Sequence, residues 1–501
     1  MSSSLSHRLS ITMSDALSWI SGNKLKTTGI ASVATVTGCA MYYFAEKAYK
    51  ESKRQPPGPT NWPLVGSLPT FLMYVIFLRP KDKDPKDVLG GLEYLTKVYG
   101  DILMFSVQNV HQIWITNSAL LRKVMTDKRL KDVTTNFAFS GQFILFTSKS
   151  GEDAFSMQNG KVWMRRRKMF LAIFNKMLTT KFMNKVSGTA IKQVLFPEID
   201  RICVEQDQPF KIRQLMHYTA FQTIFYANFD KFIDKNDELF VRMKTEIETT
   251  SKLAVSPEHL AVMLYGEKAP QHLYDARDRL SDLVNEIMDE RRAQLRQKGI
   301  HYVDPSNAGK QKKSTQQKAE DLSMVIKDLE FDSYLDYLLK LVNDGSISND
   351  VAEVEVMMIF NAGYQNNALL LEWVLVYLAK YPAIQQRVRE ELFRVHKIDG
   401  AKQADSEKKV REFDLSLVVE CPLLRAFVYE TLRTSSFARG GLARSIERDG
   451  AEIEWQGKRY VLPKGYLLFY YIEYVSSLSP KENWKRDENG KVKEFDLDNF
   501  L

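Results

Sequence analysis

The chain has 501 residues, 44% hydrophobic and 26% charged, with a formal charge of +8 at pH 7. That length can bury a large core, the composition is that of a folded chain, and the modest positive charge permits an acidic or anionic partner without demanding one. Three cysteines in so long a chain argue against a disulfide framework and for a reducing compartment, and the absence of zinc-finger, helix-turn-helix or RNA-binding spacing argues against a nucleic-acid partner.

Residues 1–26 read as a leader. From Thr27 to Ala45 the chain carries no charge for about nineteen residues, near the minimum that spans a bilayer. The apolar content, Ile30, Val33, Val36 and Met41, is diluted by Thr, Ser and Gly, and Tyr42, Tyr43 and Phe44 close the stretch like an interfacial aromatic belt. Lys24 and Lys26 precede it; Lys47, Lys50, Lys53 and Arg54 follow, a bias that keeps the body cytosolic. The expectation is one membrane anchor over 27–45, with a soluble amphipathic or targeting segment as the alternative. Residues 46–69 follow as a hinge. Pro56-Pro57-Gly58-Pro59 and Trp62-Pro63 cannot be helix or central strand, so the run reads as a stiff extended spacer.

Residues 70–501 read as one domain, mainly α with a small β subdomain. Amphipathic stretches at Pro85–Tyr99, Lys161–Phe174, Tyr274–Gln297 and Ser348–Tyr381 predict helices. The β-like runs are short: Ile102–Val107, Gln112–Thr116, Tyr460–Leu462 and Leu467–Tyr471. His301 to Gln317 has no apolar period and reads as a surface loop.

Three local patterns bear on chemistry. Trp163 and Arg167, four apart on a predicted helix, share a face and pair an indole N–H with a guanidinium, a donor set suited to a carboxylate. Taken alone, a solvated basic cluster around Arg165, Arg166 and Lys168 with a buried tryptophan is the simpler account. Glu430 and Arg433, three apart, predict an in-helix ion pair, costly if buried without further hydrogen bonds. Arg439-Gly440-Gly441 then interrupts the helix and Arg444 falls in a strand-like segment. In the long apolar helix, Gly363 and the run Gln365-Asn366-Asn367 break the local helical rule, which marks either a functional site, a kink or a face turned to a polar cavity.

In order and spacing these residues resemble the cytochrome P450 family, from about Pro56 to Leu501. The proline hinge comes first, then W-x-x-x-R at Trp163 and Arg167, A-G at Ala362 and Gly363, E-x-x-R at Glu430 and Arg433, and Arg444 where the family's haem-propionate arginine falls. The resemblance implies the P450 fold, and it implies roles. Trp163, Arg167 and Arg444 would hold the haem propionates; Glu430 and Arg433 would brace the cysteine-loop region; Ala362 and Gly363 would let the central helix approach the distal haem face. Gln365 and Asn366 stand where the family's acid and threonine relay protons to oxygen. Asn366, Trp373 and the run Arg433-Thr434-Ser435-Ser436 resemble the branch of sterol 7α-hydroxylases and prostacyclin synthases.

Two departures accompany the resemblance. Asn499, in Phe495-Asp496-Leu497-Asp498-Asn499-Phe500-Leu501, replaces the arginine of the family's P-E-R-F motif and puts the brace in doubt. The haem-binding loop, F-x-x-G-x-x-x-C-x-G, is not in the chain, and Cys39, Cys203 and Cys421 read as small buried residues rather than an iron ligand. The expectation is a P450 fold lacking the C-terminal cysteine loop and last helix, from a natural chain longer than this one. Its implied function is a haem-thiolate monooxygenase of the endoplasmic reticulum membrane, acting on a sterol or other lipophilic substrate with O2 and electrons from an NADPH-dependent reductase. A lipid-peroxide isomerase and a truncated, non-catalytic chain without haem are the alternatives.

Overall fold

The computed structural model describes residues 24–63, 66–74, 88–107, 110–128, 130, 134–136, 144–177, 184–202, 211–254, 256, 258–259, 262, 268–298, 333–397, 415–435, 443–472, 475–476 and 483–501. The expected loop at His301 to Gln317, and Cys203, lie outside them. The chain divides into two compact units, the first drawn from residues 1–115, 124–133 and 448–466, the second from 116–123, 134–447 and 467–501. Among the described residues the strands are β1 (Ile102–Val107), β2 (Val110–Ile115), β3 (Thr134–Asn136), β4 (Ala443–Ile446), β5 (Ala451–Trp455), β6 (Lys458–Leu462) and β7 (Leu467–Tyr470). The fold is mainly α with a small β part, as expected.

The first unit holds α1 (Lys24–Ser52), α2 (Val88–Tyr99) and two antiparallel pairs, β1–β2 with Ile102 opposite Ile115 and β5–β6 with Ala451 opposite Leu462. Here the expected membrane anchor at 27–45 is overturned, and with it the transmembrane topology and the endoplasmic reticulum address. Among the described residues no helix is long and apolar enough to cross a membrane. Helix α1 has the length, 29 residues. Its apolar side chains are too diluted by Thr27, Thr28, Ser32, Thr35, Thr37 and Gly38 for the transfer into hydrocarbon to be favourable.

The end of α1 is folded onto the proline segment instead. The Tyr42 ring stacks on Trp62 at 5.3 Å and its hydroxyl donates to Asn61 O at 2.6 Å. Lys50 donates to Pro59 O at 3.0 Å and pairs with Glu46 at 2.9 Å. Prolines leave few backbone donors, so the segment is held through its carbonyls: Val461 N–H donates to Arg54 O at 2.8 Å and Met104 N–H to Pro57 O at 2.7 Å. Gly58 permits the second contact. A Cβ built there would lie 1.6 Å from Met104 O.

The second unit is helical. It contains α3 (Gly160–Met177), α4 (Ile212–Phe229), α5 (Glu238–Ala254), α6 (Gln271–Gln297), α7 (Tyr334–Asn343), α8 (Asn349–Lys380), α9 (Pro382–Val395) and α10 (Pro422–Thr434). Strand β4 pairs with β3 and β7, Arg444 lying opposite Asn136 and Leu468. Helix α8 is the axis. Ser348 caps its start, its hydroxyl accepting from Val351 N–H at 3.2 Å, and Pro382 opens α9 where its missing N–H costs nothing. One buried cluster joins α3 to α8. At its centre Phe221, Phe225 and Phe229 of α4 pack on Phe360 and Tyr364 of α8, ring centroids 5.3 to 6.1 Å apart.

Replacing Gly58 by alanine should destabilise the first unit sharply, because backbone must move to admit the methyl group. Gly38, mid-helix with nothing within 4 Å of its Cβ position, should instead gain about 0.5–1 kcal/mol on the same change. Chemical unfolding of the two variants checks the contrast.

Candidate functional site

The chemistry-bearing residues lie in the second unit. Glu430 and Arg433, one turn apart on α10, form a bidentate ion pair, with Nε to Oε2 and Nη2 to Oε1 both 2.7 Å, and both side chains almost fully buried. A buried pair survives only if its remaining lone pairs and protons are also used. They are. Arg433 donates to Ser476 O at 2.8 Å, Lys493 O at 3.1 Å and Glu494 O at 3.0 Å, and its guanidinium lies over Trp484 at 5.3 Å. Glu430 accepts the Asp496 N–H at 2.7 Å and the Asn499 amide at 3.0 Å. Asn499 accepts in turn from Lys485 N–H at 2.7 Å, which fixes the orientation of its amide. Asn499 therefore gives the Glu430–Arg433 pair a neutral donor.

Trp163 and Arg167 share a face of α3, as their spacing requires, and the guanidinium lies 5.3 Å from the indole centroid. The neighbouring arginines are committed elsewhere: Arg165 donates to Ser346 O at 3.4 Å, and Arg166 to Asp153 O at 2.7 Å and Glu152 at 2.8 Å. Among the described residues Arg167 has no carboxylate partner, and it is exposed, so its donors are open to an added anion. Arg444, at the centre of β3–β4–β7, lies beside the Tyr470 hydroxyl. Burial pushes that phenol above its ordinary range, and the guanidinium opposes the rise.

The rule-breaking stretch of α8 lies within one continuous helical assignment. Its amides explain why. Asn361 donates to Met357 O at 3.1 Å, Asn366 to Ala362 O at 2.9 Å and Asn367 to Gly363 O at 2.7 Å, each reaching back four residues to a carbonyl of its own helix. Ala362 and Asn366 lie on an exposed face, Gln365 is half-buried and Tyr364 is buried. Gly363 is turned toward α4, where a Cβ would meet Ile224 Cδ1 at 2.7 Å. Its small size serves the α4–α8 contact.

Trp163, Arg167 and Arg444 each carry N–H donors of the kind a carboxylate accepts from. Neither described cysteine fits the iron. Cys39 is exposed on α1 in the first unit. Cys421 is buried before α10, its thiol donating to Leu417 O at 3.6 Å. Burial, then Glu391 and Glu420, raise that thiol above its ordinary value, which favours S–H over the thiolate a metal needs.

Residues 56–486 match the family described as cytochrome P450. The chain belongs to the cytochrome P450 family. It is a P450-type oxidoreductase. It is similar to cytochrome P450 2L1 of Panulirus argus, 21% identical over 443 residues covering 85% of this chain and 76% of that protein. Trans-cinnamate 4-monooxygenase of Sorghum bicolor is 25% identical over 411 residues, 80% of this chain and 69% of that one. Cytochrome P450 1A1 of Oncorhynchus mykiss is 21% identical over 492 residues, 94% and 80%. These names span the superfamily, and none points to the sterol 7α-hydroxylase and prostacyclin synthase branch.

Asn499 was visible in the sequence, yet its role depends on the fold of residues 483–499, which no local spacing encodes. Replacing it by alanine should cost about 1.5–3 kcal/mol, the range for a hydrogen bond to a charged group, read as a shift in the denaturation midpoint. Gly363→Ala should destabilise by about 1–3 kcal/mol through overpacking against Ile224, and Ile224→Ala in the same chain should recover most of the loss that is due to the clash. Independent, additive costs in the double variant would show that the two positions are not in contact.

Proposed function

We propose that this chain is a haem monooxygenase that hydroxylates a sterol or another large lipophilic substrate with O2 and electrons from a reductase. The observation that carries the reading is the outward face of α8. Ala362, Trp373 and Val376 are exposed along it, with the amides of Gln365 and Asn366 on the same side of the helix. A face of this kind suits an apolar ligand touched by few polar groups. Haem, when bound, would supply the activation of O2. Trp163, Arg167 and Arg444 would hold its carboxylates by indole and guanidinium N–H groups.

A second reading is supported by Asn366. The amide N–H is committed to Ala362 O, and an amide neither gains nor loses a proton near neutral pH, so this position does not relay protons as an acid or hydroxyl would. That suits an isomerisation of a lipid peroxide, which consumes no electrons.

Haem titration followed by optical absorbance tests the common ground. Arg167→Ala and Arg444→Ala should each weaken haem uptake about tenfold or more, the scale of a charge-assisted hydrogen bond, and unchanged uptake in both would sink the assignment. Assays with sterols and with lipid endoperoxides then separate the two readings: product that requires NADPH and reductase supports hydroxylation, and product formed without either supports the isomerase.

A further inference from the structure

The entry to α3 is held by a group outside the motifs. Residues 155–157 form a single 3-10 turn ahead of α3, and the Phe155 N–H donates to Glu355 Oε1 of α8 at 2.5 Å. Glu355 is 1% exposed on the second turn of α8. The Phe155 ring stacks on Phe170 of α3 at 4.9 Å, and Phe174 of α3 stacks on Tyr334 of α7 at 6.1 Å. The contact therefore ties α8, the turn, α3 and α7 into one packed corner, and α3 carries Trp163 and Arg167 a few residues further on.

We propose that Glu355 is a positioning residue whose buried carboxyl group pins Phe155 and so sets where α3, with the Trp163–Arg167 face, begins. This deepens the proposed function, since it rests on the reading that this face holds the cofactor's carboxylates.

The surroundings favour the neutral form. No cation is hydrogen-bonded to Glu355 among the described residues. Arg166 of α3 is the charge that acts on it, and Arg166 is already paired with Glu152. On α7 it faces Tyr334, a phenol that Glu355 would repel as an anion, with Tyr337 beyond. On its own helix Asp350 and Glu353 precede it, and Glu353 is itself bonded to Ser281 and Asn285 of α6. The Tyr334 hydroxyl is buried without a hydrogen-bond partner. Burial raises the Glu355 acid to about 8, with the Phe155 N–H and Arg166 opposing. Because the folded value lies above that of a free carboxyl, folding takes up a proton. The stabilisation is complete at acidic pH and is lost as pH rises through about 8.

Hydrogen exchange by mass spectrometry on peptides covering residues 153–168 tests this, with rates corrected for intrinsic pH dependence. The wild-type chain should be protected at pH 7 and lose about tenfold in protection by pH 9, one unit above the acid's value. Glu355→Gln, neutral at every pH and of the same shape, should stay protected at both. Glu355→Ala should be unprotected at both. Wild-type protection that does not change between pH 7 and pH 9, or a glutamine variant as unprotected as the alanine one, overturns the proposal. Haem uptake measured in parallel separates the two failures. Uptake lacking even in the wild type sinks the haem reading, while exchange still judges the hold on Phe155. Uptake equal in the wild type and Glu355→Ala would overturn the positioning role.

Discussion

A carboxylate and a guanidinium buried against each other on α10 govern the C-terminal part of the second unit. Removing two charges from water is expensive, and their mutual attraction repays the cost only when geometry is good and every remaining donor and acceptor is used. Glu430 and Arg433 meet that condition by reaching outward. Arg433 takes three backbone carbonyls, and Glu430 takes a backbone N–H and the Asn499 amide. The pair therefore dictates the path of residues 493–499, because a different path would leave buried charge unsatisfied. Phe495 then seats on Tyr377, Tyr381 and Phe427, linking the ends of α8 and α10 to that path.

A second constraint acts along α8. The helix must be continuous to serve as an axis, yet its middle carries glycine and three asparagines. The asparagines resolve the conflict locally by donating to the carbonyls four residues back. The glycine resolves it at long range, because Ile224 of α4 fills the space a side chain would need. Packing and function meet at this point: residues on one side of α8 lock it to α4, and those on the other side are left outward, toward the proposed ligand.

The legible parts of the sequence were those whose meaning is local. Trp163 with Arg167, and Glu430 with Arg433, sit on one helix face by spacing alone, and both pairs are found in contact. Helix α8 was legible because its apolar content is long and its cap is a serine. Helix α4 was not singled out, because Thr219, Gln222 and Asn228 are buried among its aromatics and blur the period. Thr219 and the Asn228 amide N–H donate to carbonyls of their own helix, and Gln222 bonds the backbone of Ile233. The anchor was misread for the opposite reason. The uncharged length of residues 27–45 suggests a span, and their hydroxyl-rich content opposes it. The role of Asn499 and the contact of Glu355 with Phe155 join residues about 70 and 200 positions apart, and no pattern within a single element announces either.

The account stands on the coupling between Glu430 and Arg433. A double-mutant cycle with Glu430→Gln and Arg433→Met, followed by denaturant unfolding, measures it directly. Each single change should cost about 3–5 kcal/mol, because it strands a buried charge, and the double variant should cost clearly less than the sum. Additive costs would contradict the account, since the pair would then be two separate surface-like interactions and not the constraint that shapes the C-terminal segment.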